Sequence, residues 1–509
     1  MTQATATAVV HDLIGVGFGP SNIALAIALQ ERAQAQGALE VLFLDKQGDY
    51  RWHGNTLVSQ SELQISFLKD LVSLRNPTSP YSFVNYLHKH DRLVDFINLG
   101  TFYPCRMEFN DYLRWVASHF QEQSRYGEEV LRIEPMLSAG QVEALRMFYD
   151  YADSGSWSEG TYRANQDDFA AIKLRQRVAR NIENRSLRTR MLGQEMAMPV
   201  AIAPTGLAGM QHADGEILAA RAAAEFGVRY TLSTMSICSL EDIATEVGQP
   251  FWFQLYVMRD RDFIERLIDR AKAAGCDALV LTLDLQIIGQ RHKDLKNGLS
   301  APPRPTLANL LNIATKPRWA LGMLGTRRRG FGNIVGHVKG VDDMGSLSEW
   351  TARQFDPRLN WGDVEWIKRR WGGKLVLKGI LDAEDARLAA DSGADALVVS
   401  NHGGRQLDGA PSTISALPAI VEAVGERIEV WLDSGIRSGQ DVLKAIALGA
   451  RGTMIGRPYL YGLGALGQAG VTRALEIIAR ELDLTMAFCG HTDIREVGRD
   501  ILLPGSYPR

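Results

Sequence analysis

The stretch Ala396-Leu397-Val398-Val399-Ser400-Asn401-His402-Gly403-Gly404-Arg405 indicates how most of this chain folds. Its first residues are apolar until Ser400, which is typical of a strand buried on both faces of a parallel sheet. The loop that follows carries an imidazole and a guanidinium with two glycines between them. An imidazole can accept a proton and a guanidinium can bind a carboxylate through two parallel hydrogen bonds, so this loop suits a site for a small organic acid.

Strand and helix signals alternate on both sides of this stretch, from about Met147 onward. Such alternation predicts an α/β chain with a closed (β/α)8 TIM barrel, whose active site lies at the carboxyl ends of the strands. Ala-rich helical patterns such as Glu216 to Phe226 and Ala383 to Ala390 separate most of the strands. One connection, from about Gly289 to Gly373, is much longer, and long insertions in barrels are usually functional or mobile. The eight candidate strands are 199–203, 230–233, 251–256, 278–283, 374–378, 396–400, 428–433 and 452–456.

Length, charge and cysteine spacing limit what the protein can be. A chain of 509 residues is too long for one core, so two or three domains are expected. The net charge of -3 gives no sign of a nucleic-acid partner. The 4 cysteines lie far apart without metal-ligand spacing, and they predict reduced thiols in a cytoplasmic protein. Residues 1–10 lack the features of a secretory signal, and no apolar run is long enough to span a bilayer.

Polar residues follow the candidate strands, where a barrel carries its active site. Strand ends are often polar simply because loops follow, and that alternative stays open for any one residue. It does not explain the whole set, which therefore predicts one site at the rim of the barrel. The set contains Thr205, Ser233, Gln254, Tyr256, Thr282, Asp284, Lys378, His402, Asp433, Gly456 and Arg457.

Eight motifs mark this part of the chain. They are Tyr149-Asp150-Tyr151, Ala203-Pro204-Thr205-Gly206, Phe253-Gln254-Leu255-Tyr256, Thr282-Leu283-Asp284, Lys378-Gly379, the His402 loop, Asp433-Ser434-Gly435-Ile436-Arg437 and Ile455-Gly456-Arg457-Pro458. Together they resemble the FMN-dependent 2-hydroxy acid dehydrogenase and oxidase family, and most of all its bacterial quinone-linked L-lactate dehydrogenases. The resemblance implies oxidation of L-lactate, or a similar small L-2-hydroxy acid, with FMN as cofactor. Mandelate and other longer 2-hydroxy acids stay open as substrates.

The resemblance implies a base at His402, which would remove a proton from the substrate as the Cα hydrogen goes to the flavin. Asp284 would pair with the imidazolium and raise its proton affinity. The alternative is a histidine that only forms part of a Gly-rich turn. The residues do not reveal whether the hydrogen leaves as a hydride or the carbon first becomes a carbanion.

The same resemblance implies a carboxylate clamp made of Arg405, Arg291 and the hydroxyl of Tyr151. Tyr256 would form a hydrogen bond with the substrate hydroxyl. An Arg291 that points into solvent from its long loop and a Tyr256 that only lines the barrel rim are the alternatives. Met235 and Ile288, both of middle size, would shape a pocket for a small substrate.

Flavin binding is expected from three further groups of residues. Lys378 ends an apolar strand, so its ammonium needs a partner, and it would stabilise the negative charge of reduced flavin. The isoalloxazine ring would contact Ser233, Gln254, Thr282, Thr205 and Gly206. The phosphate belongs after the last two strands, at Asp433, Gly435, Arg437, Gly456 and Arg457.

The long insertion combines apolar and basic residues in the segments Thr306 to Ile313, Lys316 to Leu324 and Arg327 to Arg329. This composition fits a segment that lies on an anionic membrane surface, and the alternative is an active-site lid with incidental charges. Membrane contact would suit a quinone as electron acceptor, although oxygen and cytochrome also stay open. We therefore expect a protein peripheral to the cytoplasmic face of the inner membrane, and a homo-oligomer as is common in the family.

A nucleotide-binding pattern opens the chain. Residues 12–26 read as strand, glycine turn and helix, with Gly15, Gly17 and Gly19 in the turn and Pro20 where G-x-G-x-x-G has its third glycine. A second strand ends at Asp45, a candidate ribose ligand.

The segments that follow decide the family of this first part. Trp52-His53, Gln64 to Asn76 and Pro77 to Phe83 resemble L-ornithine N5-monooxygenases of siderophore (pyoverdine) synthesis, in which residues matching Gln64 and Lys69 lie near the flavin and bind the amino acid. The resemblance ends near Arg146, before a second glycine turn for NADPH and before the segments that complete the FAD fold. We therefore predict an incomplete Rossmann-like FAD-binding half-domain in 1–146, with an uncovered apolar sheet edge and no N-hydroxylation, ahead of the barrel in 147–509.

FAD binding by this first part is doubtful on these grounds. The alternatives are a bifunctional fusion enzyme and a flavin-binding protein without turnover. Ser138 to Arg146 stand where the dehydrogenase family normally has a helix, which leaves the placement of Tyr151 open.

Overall fold

The computed structural model describes residues 11–37, 39–52, 58, 61–130, 146–287, 289–297, 312–313, 315–338 and 354–508. The chain forms two compact units, Met1–Met136 and Leu137–Arg509. His53, Ile288, the segment 306–311 and the junction at 138–145 lie outside the described residues.

The first unit is a three-stranded parallel sheet with helices packed on it. Its elements are β1 (Leu13–Val16), α1 (Pro20–Gln36), β2 (Val41–Asp45), α2 (Phe83–Lys89), α3 (Leu93–Asn98), α4 (Arg106–Ser118) and β3 (Ser124–Tyr126). The strand order is β1-β2-β3, so β1 lies at an edge. Ile14 and Val16 on this edge strand are 54% and 55% exposed. The predicted strand, glycine turn and helix with a parallel sheet are therefore confirmed, and the edge strand carries exposed apolar side chains.

An aromatic cluster holds this unit together. Phe83 is fully buried and meets Tyr112 edge to face at 5.4 Å and Phe96 at 5.5 Å between ring centroids. Burial of large aromatic side chains stabilises a small domain strongly, and edge-to-face pairs add to that burial. The helices α2 to α4 supply most of these rings, which explains how so small a sheet keeps a core.

The second unit is a barrel of eight parallel strands. Their order around the sheet is β6-β13-β12-β11-β10-β9-β8-β7, and a bridge between Ile202 and Tyr230 brings the two ends together. The predicted TIM barrel is confirmed. The strands are β6 (Val200–Ile202), β7 (Thr231–Ser233), β8 (Trp252–Tyr256), β9 (Ala278–Thr282), β10 (Lys374–Ile380), β11 (Ala396–Val399), β12 (Glu429–Leu432) and β13 (Gly452–Ile455).

Helices cover the outside of this barrel. Before the first barrel strand come α5 (Arg146–Ala152), α6 (Gly160–Ala171) and an antiparallel hairpin, β4 (Thr189–Met191) with β5 (Gln194–Met196). The helices that follow are α7 (Ala208–Gln211), α8 (Gly215–Phe226), α9 (Leu240–Val247), α10 (Arg261–Ala273), α11 (His292–Lys296), α12 (Pro317–Gly325), α13 (Trp361–Trp371), α14 (Ala383–Asp391), α15 (Thr413–Val424), α16 (Gly439–Ala447) and α17 (Arg457–Phe488).

The barrel strands are apolar because both of their faces are buried. Every residue of β8, β9 and β11 is buried. Inside the barrel the rings of Trp252 and Trp431 stack with centroids 5.1 Å apart, and neither is exposed. This packed interior leaves the strand ends as the place where polar side chains can meet. Among the residues that the structure describes, no helix is long and apolar enough to cross a bilayer.

Candidate active site

A cavity opens at the carboxyl ends of the barrel strands. Its open space, counted out to the solvent-facing mouth, is about 1240 Å³. Of the site residues predicted in the barrel, the cavity is lined by Tyr151, Thr205, Gly206, Tyr256, Arg291, Lys378, His402, Arg405, Asp433, Gly435, Arg437, Gly456 and Arg457. The other four, Ser233, Gln254, Thr282 and Asp284, do not line it.

His402 and Asp284 form a partly buried pair at the cavity. The Nδ1 atom of His402 lies 2.8 Å from Oδ1 of Asp284, although the two residues are 118 positions apart. The other carboxylate oxygen of Asp284 is buried and has no hydrogen-bond partner among the described residues. Burial opposes the charge of Asp284, but His402 and Lys378 outweigh burial and lower the pKa of this carboxyl group.

The surroundings of the His402 imidazole favour its neutral form. Burial lowers its pKa below the usual value, and the cations Lys378 and Arg291 act in the same direction. Asp284 raises the pKa, as expected from the sequence, but it does not outweigh burial. His402 itself has a positive φ of 57°, and its N–H donates to the Ser400 hydroxyl at 3.1 Å. A neutral imidazole beside a carboxylate can accept a proton and stabilise the resulting charge.

Two arginines converge next to this pair. Arg405 donates to the Ser154 hydroxyl at 3.1 Å and to the Tyr151 carbonyl, and its guanidinium lies 4.5 Å from the centre of the Tyr151 ring. Its Nη2 group is buried and has no hydrogen-bond partner among the described residues. Arg291 donates from Nε to the Arg405 carbonyl at 3.3 Å. The side chain of Arg291 is only 12% exposed, so it does not point into solvent.

Two residues that the sequence did not single out as site residues hold these arginines. The Asp294 carboxylate lies 3.8 Å from Nη1 of Arg291 and 4.0 Å from Nη2 of Arg405. Gln406 accepts from Arg291 at 3.3 Å and donates to the Asp284 carbonyl at 3.1 Å. Their only sequence signal is closeness to the arginines, since Asp294 follows Arg291 by three residues and Gln406 follows Arg405 directly.

The segment that carries Tyr151 is tied to the barrel by arginines. Arg457 donates to the carbonyls of Ala152 at 2.8 Å, Ser154 at 2.7 Å and Gly403 at 3.1 Å. Burial and neighbouring cations lower the pKa of Arg457 to about 10. The acceptors of its guanidinium are thus backbone carbonyls of the protein, whereas the sequence suggested Arg457 as a phosphate ligand. These contacts keep Tyr151 at the rim.

Tyr256 ends β8 and is 9% exposed. Burial and the nearby Asp284 raise the pKa of its hydroxyl well above the usual range. The group therefore stays protonated at neutral pH and can donate a hydrogen bond.

Lys378 has the partner that its burial requires. Its ammonium lies 2.8 Å from Oδ2 of Asp433 and donates to the Ser400 hydroxyl at 2.7 Å. Burial disfavours the charge of Lys378, but Asp433 and Asp284 outweigh burial and raise its pKa. Asp433 also accepts from the Ser434 hydroxyl at 2.6 Å. Asp433 thus faces the lysine as its counter-ion.

A polar chain lies beside the cavity, between the ends of three strands. Ser233 donates to the side-chain carbonyl of Gln254 at 3.1 Å, and the amide of Gln254 donates to Thr282 at 3.0 Å. All three side chains are buried. The Thr205 hydroxyl forms a hydrogen bond with that of Tyr459. These contacts fix the side chains that the sequence assigned to a flavin ring.

The residues present fit FMN. Lys378 lines the cavity and supplies a buried cation that could face the electron-rich edge of an isoalloxazine ring. Glycines let segments of the cavity wall pack closely at the expected ring and phosphate regions. A Cβ at Gly206 would lie 3.2 Å from Cβ of Met235, and one at Gly435 would lie 2.1 Å from the Asn165 carbonyl oxygen. Gly435 has a φ of +93°, and Arg437 follows it at the cavity wall.

Two aromatic residues complete the cavity wall, and the sequence did not identify either. They are Phe331 and Phe355, and both belong to the long insertion. The insertion shows no regular apolar period, so no pattern marked them. Met235 lines the cavity as expected.

The middle of the insertion forms α12, which carries Leu321 and Leu324 exposed at 68% and 69%. Trp319 is anchored, because its indole N–H donates to the Met210 carbonyl at 2.9 Å. Arg328 and Arg329 of the predicted basic cluster have different partners. Arg328 faces inward and pairs with Asp214, Asp242 and Glu246, whereas the side chain of Arg329 bonds the carbonyls of Leu324 and Thr326.

In the first unit the glycine turn is closed by Asp45. One carboxylate oxygen of Asp45 accepts from the Phe18 N–H at 2.7 Å, and the other accepts from the Gln47 N–H at 2.9 Å. Gly17 has a φ of +79°, and a Cβ at Gly15 would lie 2.4 Å from the Phe43 ring. Gly19 precedes α1 as its N-cap. The predicted amino-acid ligands Gln64 and Lys69 are both exposed.

Two family models match this chain. The FMN-dependent dehydrogenase model matches residues 141–504, and the L-lysine 6-monooxygenase/L-ornithine 5-monooxygenase model matches residues 9–164. The first match covers the barrel and its active-site cavity, and the second covers the first unit and the start of the second.

Relatives with known functions match the barrel part. An L-lactate dehydrogenase of Pseudomonas syringae pv. syringae is 47% identical over 363 residues, which are 70% of this chain and 94% of the relative. An L-lactate dehydrogenase of Caulobacter vibrioides is 47% identical over 359 residues, 70% of this chain and 93% of the relative.

Solved structures match the same part. The monotopic membrane protein (S)-mandelate dehydrogenase aligns with a TM-score of 0.68 at 35% identity, over 71% of this chain and 95% of that chain. A soluble mutant of the membrane-associated (S)-mandelate dehydrogenase from Pseudomonas putida aligns with a TM-score of 0.61, also at 35% identity, over 71% of this chain and 95% of that chain.

Proposed function

Because the chain belongs to the FMN-dependent dehydrogenase family, we propose that it is an L-lactate dehydrogenase that converts L-lactate to pyruvate. The family and its relatives make the protein an FMN-dependent enzyme that oxidises 2-hydroxy acids. The observation that carries the proposal is the convergence of His402, Arg291 and Arg405 at one cavity, with Asp284 2.8 Å behind His402.

In the proposed reaction His402 accepts the proton that leaves the substrate. Asp284, at 2.8 Å, stabilises the imidazolium that results. Arg291 and Arg405 hold the carboxylate, and the hydroxyl groups of Tyr151 and Tyr256 orient the substrate. The two arginines and the two tyrosines line one cavity with His402, and this shared lining supports the assignment. Asp284 lies outside the lining.

FMN supplies, when bound, the acceptor for the two electrons that leave the substrate carbon. Lys378 would hold the electron-rich edge of the ring, with Gln254, Ser233, Thr282, Thr205 and Gly206 around it. The phosphate would be bound after β12 and β13. Its proposed ligands are the backbone N–H groups of Asp433, Gly435, Gly456 and Arg457 and the guanidinium of Arg437.

We also propose a quinone as electron acceptor and a peripheral position on the cytoplasmic face of the inner membrane. The exposed Leu321 and Leu324 of α12 support this, as does the likeness to a monotopic membrane protein. The enzyme is proposed to be a homo-oligomer.

Anaerobic mixing tests the main proposal. L-lactate should bleach the flavin absorbance, and D-lactate should leave it unchanged. Unchanged absorbance with L-lactate, in protein that holds its flavin, would refute the proposed function.

For the first unit we propose a remnant, in 1–146, of an ornithine monooxygenase-type FAD domain without turnover, ahead of the barrel in 147–509. Its β1 edge carries exposed Ile14 and Val16 where a complete domain would continue the sheet. Flavin released by denaturing the protein should be FMN alone. Released FAD, or NADPH oxidation stimulated by ornithine, would contradict the proposal.

A further inference from the structure

The long insertion returns to the barrel at residues 354–359, beside the active-site cavity. Phe355 forms a β-bridge with Met258, two residues after Tyr256 at the end of β8. The N–H of Arg259 donates to the Gln354 carbonyl at 2.9 Å, and that of Asp260 donates to the Gln354 side chain at 3.2 Å. Phe355 and the preceding Gln354 are therefore fixed to the loop that follows β8.

A buried carboxylate adds to this attachment. The side chain of Asp356 is 0% exposed and pairs with Arg261 at 3.2 Å and with Arg358 at 3.0 Å. Gln286, in the loop after β9, donates to the Leu359 carbonyl at 2.8 Å. Movement of the segment that separated Asp356 from these arginines would leave a buried charge without a partner, which destabilises a fold strongly. The ion pairs therefore hold the segment in one place.

The attached segment puts the Phe355 ring against an active-site tyrosine. The rings of Phe355 and Tyr256 meet edge to face, with centroids 5.6 Å apart and planes at 79°. Both rings line the cavity, together with Leu285 and Phe331. The apolar part of the cavity wall thus begins next to the Tyr256 hydroxyl, which orients the substrate in the proposed function.

The second aromatic residue of this wall is fixed in a similar way. Gly332, which follows Phe331, donates to the carbonyls of Ser236 and Ile237, both at 3.2 Å. The buried amide of Asn333 accepts from the Leu240 N–H at 2.9 Å and donates to the Ser236 hydroxyl at 3.0 Å. Neither of these two segments of the insertion can therefore retreat easily to make room for a larger ligand.

We propose that Phe355 sets the size of the substrate side chain, so that a methyl group fits beside Tyr256 and a phenyl group does not. This inference rests on the proposed function. The arginines and His402 occupy the polar side of the cavity and fix the carboxylate and the reacting carbon, which leaves the apolar wall for the remaining substituent. The relatives of this chain include both lactate and mandelate dehydrogenases, and Phe355 is the feature that selects the smaller acid.

The experiment uses the flavin-loaded full chain and the variants Phe355→Ala and Phe355→Leu. Flavin bleaching is followed anaerobically at a series of concentrations of L-lactate and of (S)-mandelate, which gives a second-order rate constant for each. We expect wild type to prefer L-lactate, and Phe355→Ala to raise the mandelate-to-lactate ratio about tenfold or more, because a few carbon atoms in an apolar pocket change selectivity by ~10–200-fold. Phe355→Leu should raise the ratio less, and it carries the test if the alanine variant loses its flavin.

The control is Leu359→Ala, which shortens an apolar side chain in the same attached segment but outside the cavity lining. Its ratio should stay at the wild-type value; a change as large as that of Phe355→Ala would mean that loosening of the segment, and not the ring, controls selectivity. A ratio in both Phe355 variants within twofold of wild type would overturn the inference, as would a wild type that prefers (S)-mandelate. If neither acid bleaches wild type, it is the proposed function that fails.

Discussion

Replacement of Asp284 by asparagine tests whether this carboxylate promotes proton transfer to His402. The amide oxygen of the new side chain could still accept a hydrogen bond from Nδ1 of His402 at the observed 2.8 Å, so the ring would keep its orientation while the charge is lost. An opposite charge within ~4–6 Å shifts a pKa by ~1–3 units, and each unit corresponds to ~1.4 kcal/mol. The imidazolium that forms during the reaction should lose about that much stabilisation, so flavin reduction by L-lactate should slow by about 10- to 1000-fold.

The pH dependence gives a second measurement with a defined sign. His402 acts as a base only when neutral, so the rate rises with pH through its pKa. Burial already lowers this pKa, and Asp284 is the group that raises it. In Asp284→Asn the rise should therefore move to lower pH while the plateau falls.

Stopped-flow measurements of flavin bleaching between acidic and neutral pH would record both effects. Asp391→Asn is a matched control, because it removes a carboxylate that is 63% exposed and pairs with Arg427 on the surface. Exposed pairs contribute little to stability. The reasoning is refuted if the Asp284→Asn plateau stays within twofold of wild type, or if the rise moves to higher pH.

Three other substitutions probe binding and stability. Lys378→Met leaves Asp433 buried without its cation and should lower the free energy of unfolding by ~3–5 kcal/mol, which a lower Tm would show. The double variant Lys378→Met/Asp433→Asn should recover part of that Tm. An unchanged Tm would argue against that pairing. Arg405→Lys keeps the charge but loses the fork of donors, so KM for L-lactate should rise about tenfold or more while the pH profile stays in place; an unchanged KM would exclude Arg405 as a carboxylate ligand. Gly435→Ala would add a Cβ 2.1 Å from the Asn165 carbonyl oxygen and should reduce the flavin-to-protein absorbance ratio. The control is Gly409→Ala, at φ +87° with nothing within 4 Å of the added Cβ. It should lose only the ~1–2 kcal/mol of stability that left-handed strain costs. Equal flavin contents in the two glycine variants would contradict the role given to Gly435.

The sequence predicted the parts of the fold that depend on local periodicity. Apolar runs such as Ala396 to Val399 are strands because a strand covered on both faces must be apolar along its whole length. Polar residues at the ends of these runs predicted the cavity lining, including Lys378 and His402. The glycine turn at Gly15 to Gly19 likewise predicted the strand–turn–helix that opens the first unit.

Contacts between distant segments were beyond the reach of these patterns. Asp294, Gln406 and Phe355 lie in or against the long insertion, where no apolar period marks an inward-facing side chain. Arg457 looked like a phosphate ligand by position, yet the structure gives its guanidinium three backbone carbonyls of the rim segments. Such partners depend on where separate loops meet.

The amino-acid order alone determined the strands, the side chains at their ends and the glycine turn of the first unit, because each of these follows from patterns over a few neighbouring residues. Only the closed barrel decided that His402 and Asp284 lie 2.8 Å apart across 118 positions, and that Phe355 packs on Tyr256. The physical reason is that barrel closure brings the ends of all eight strands to one rim, where loops far apart in sequence compete for the same space.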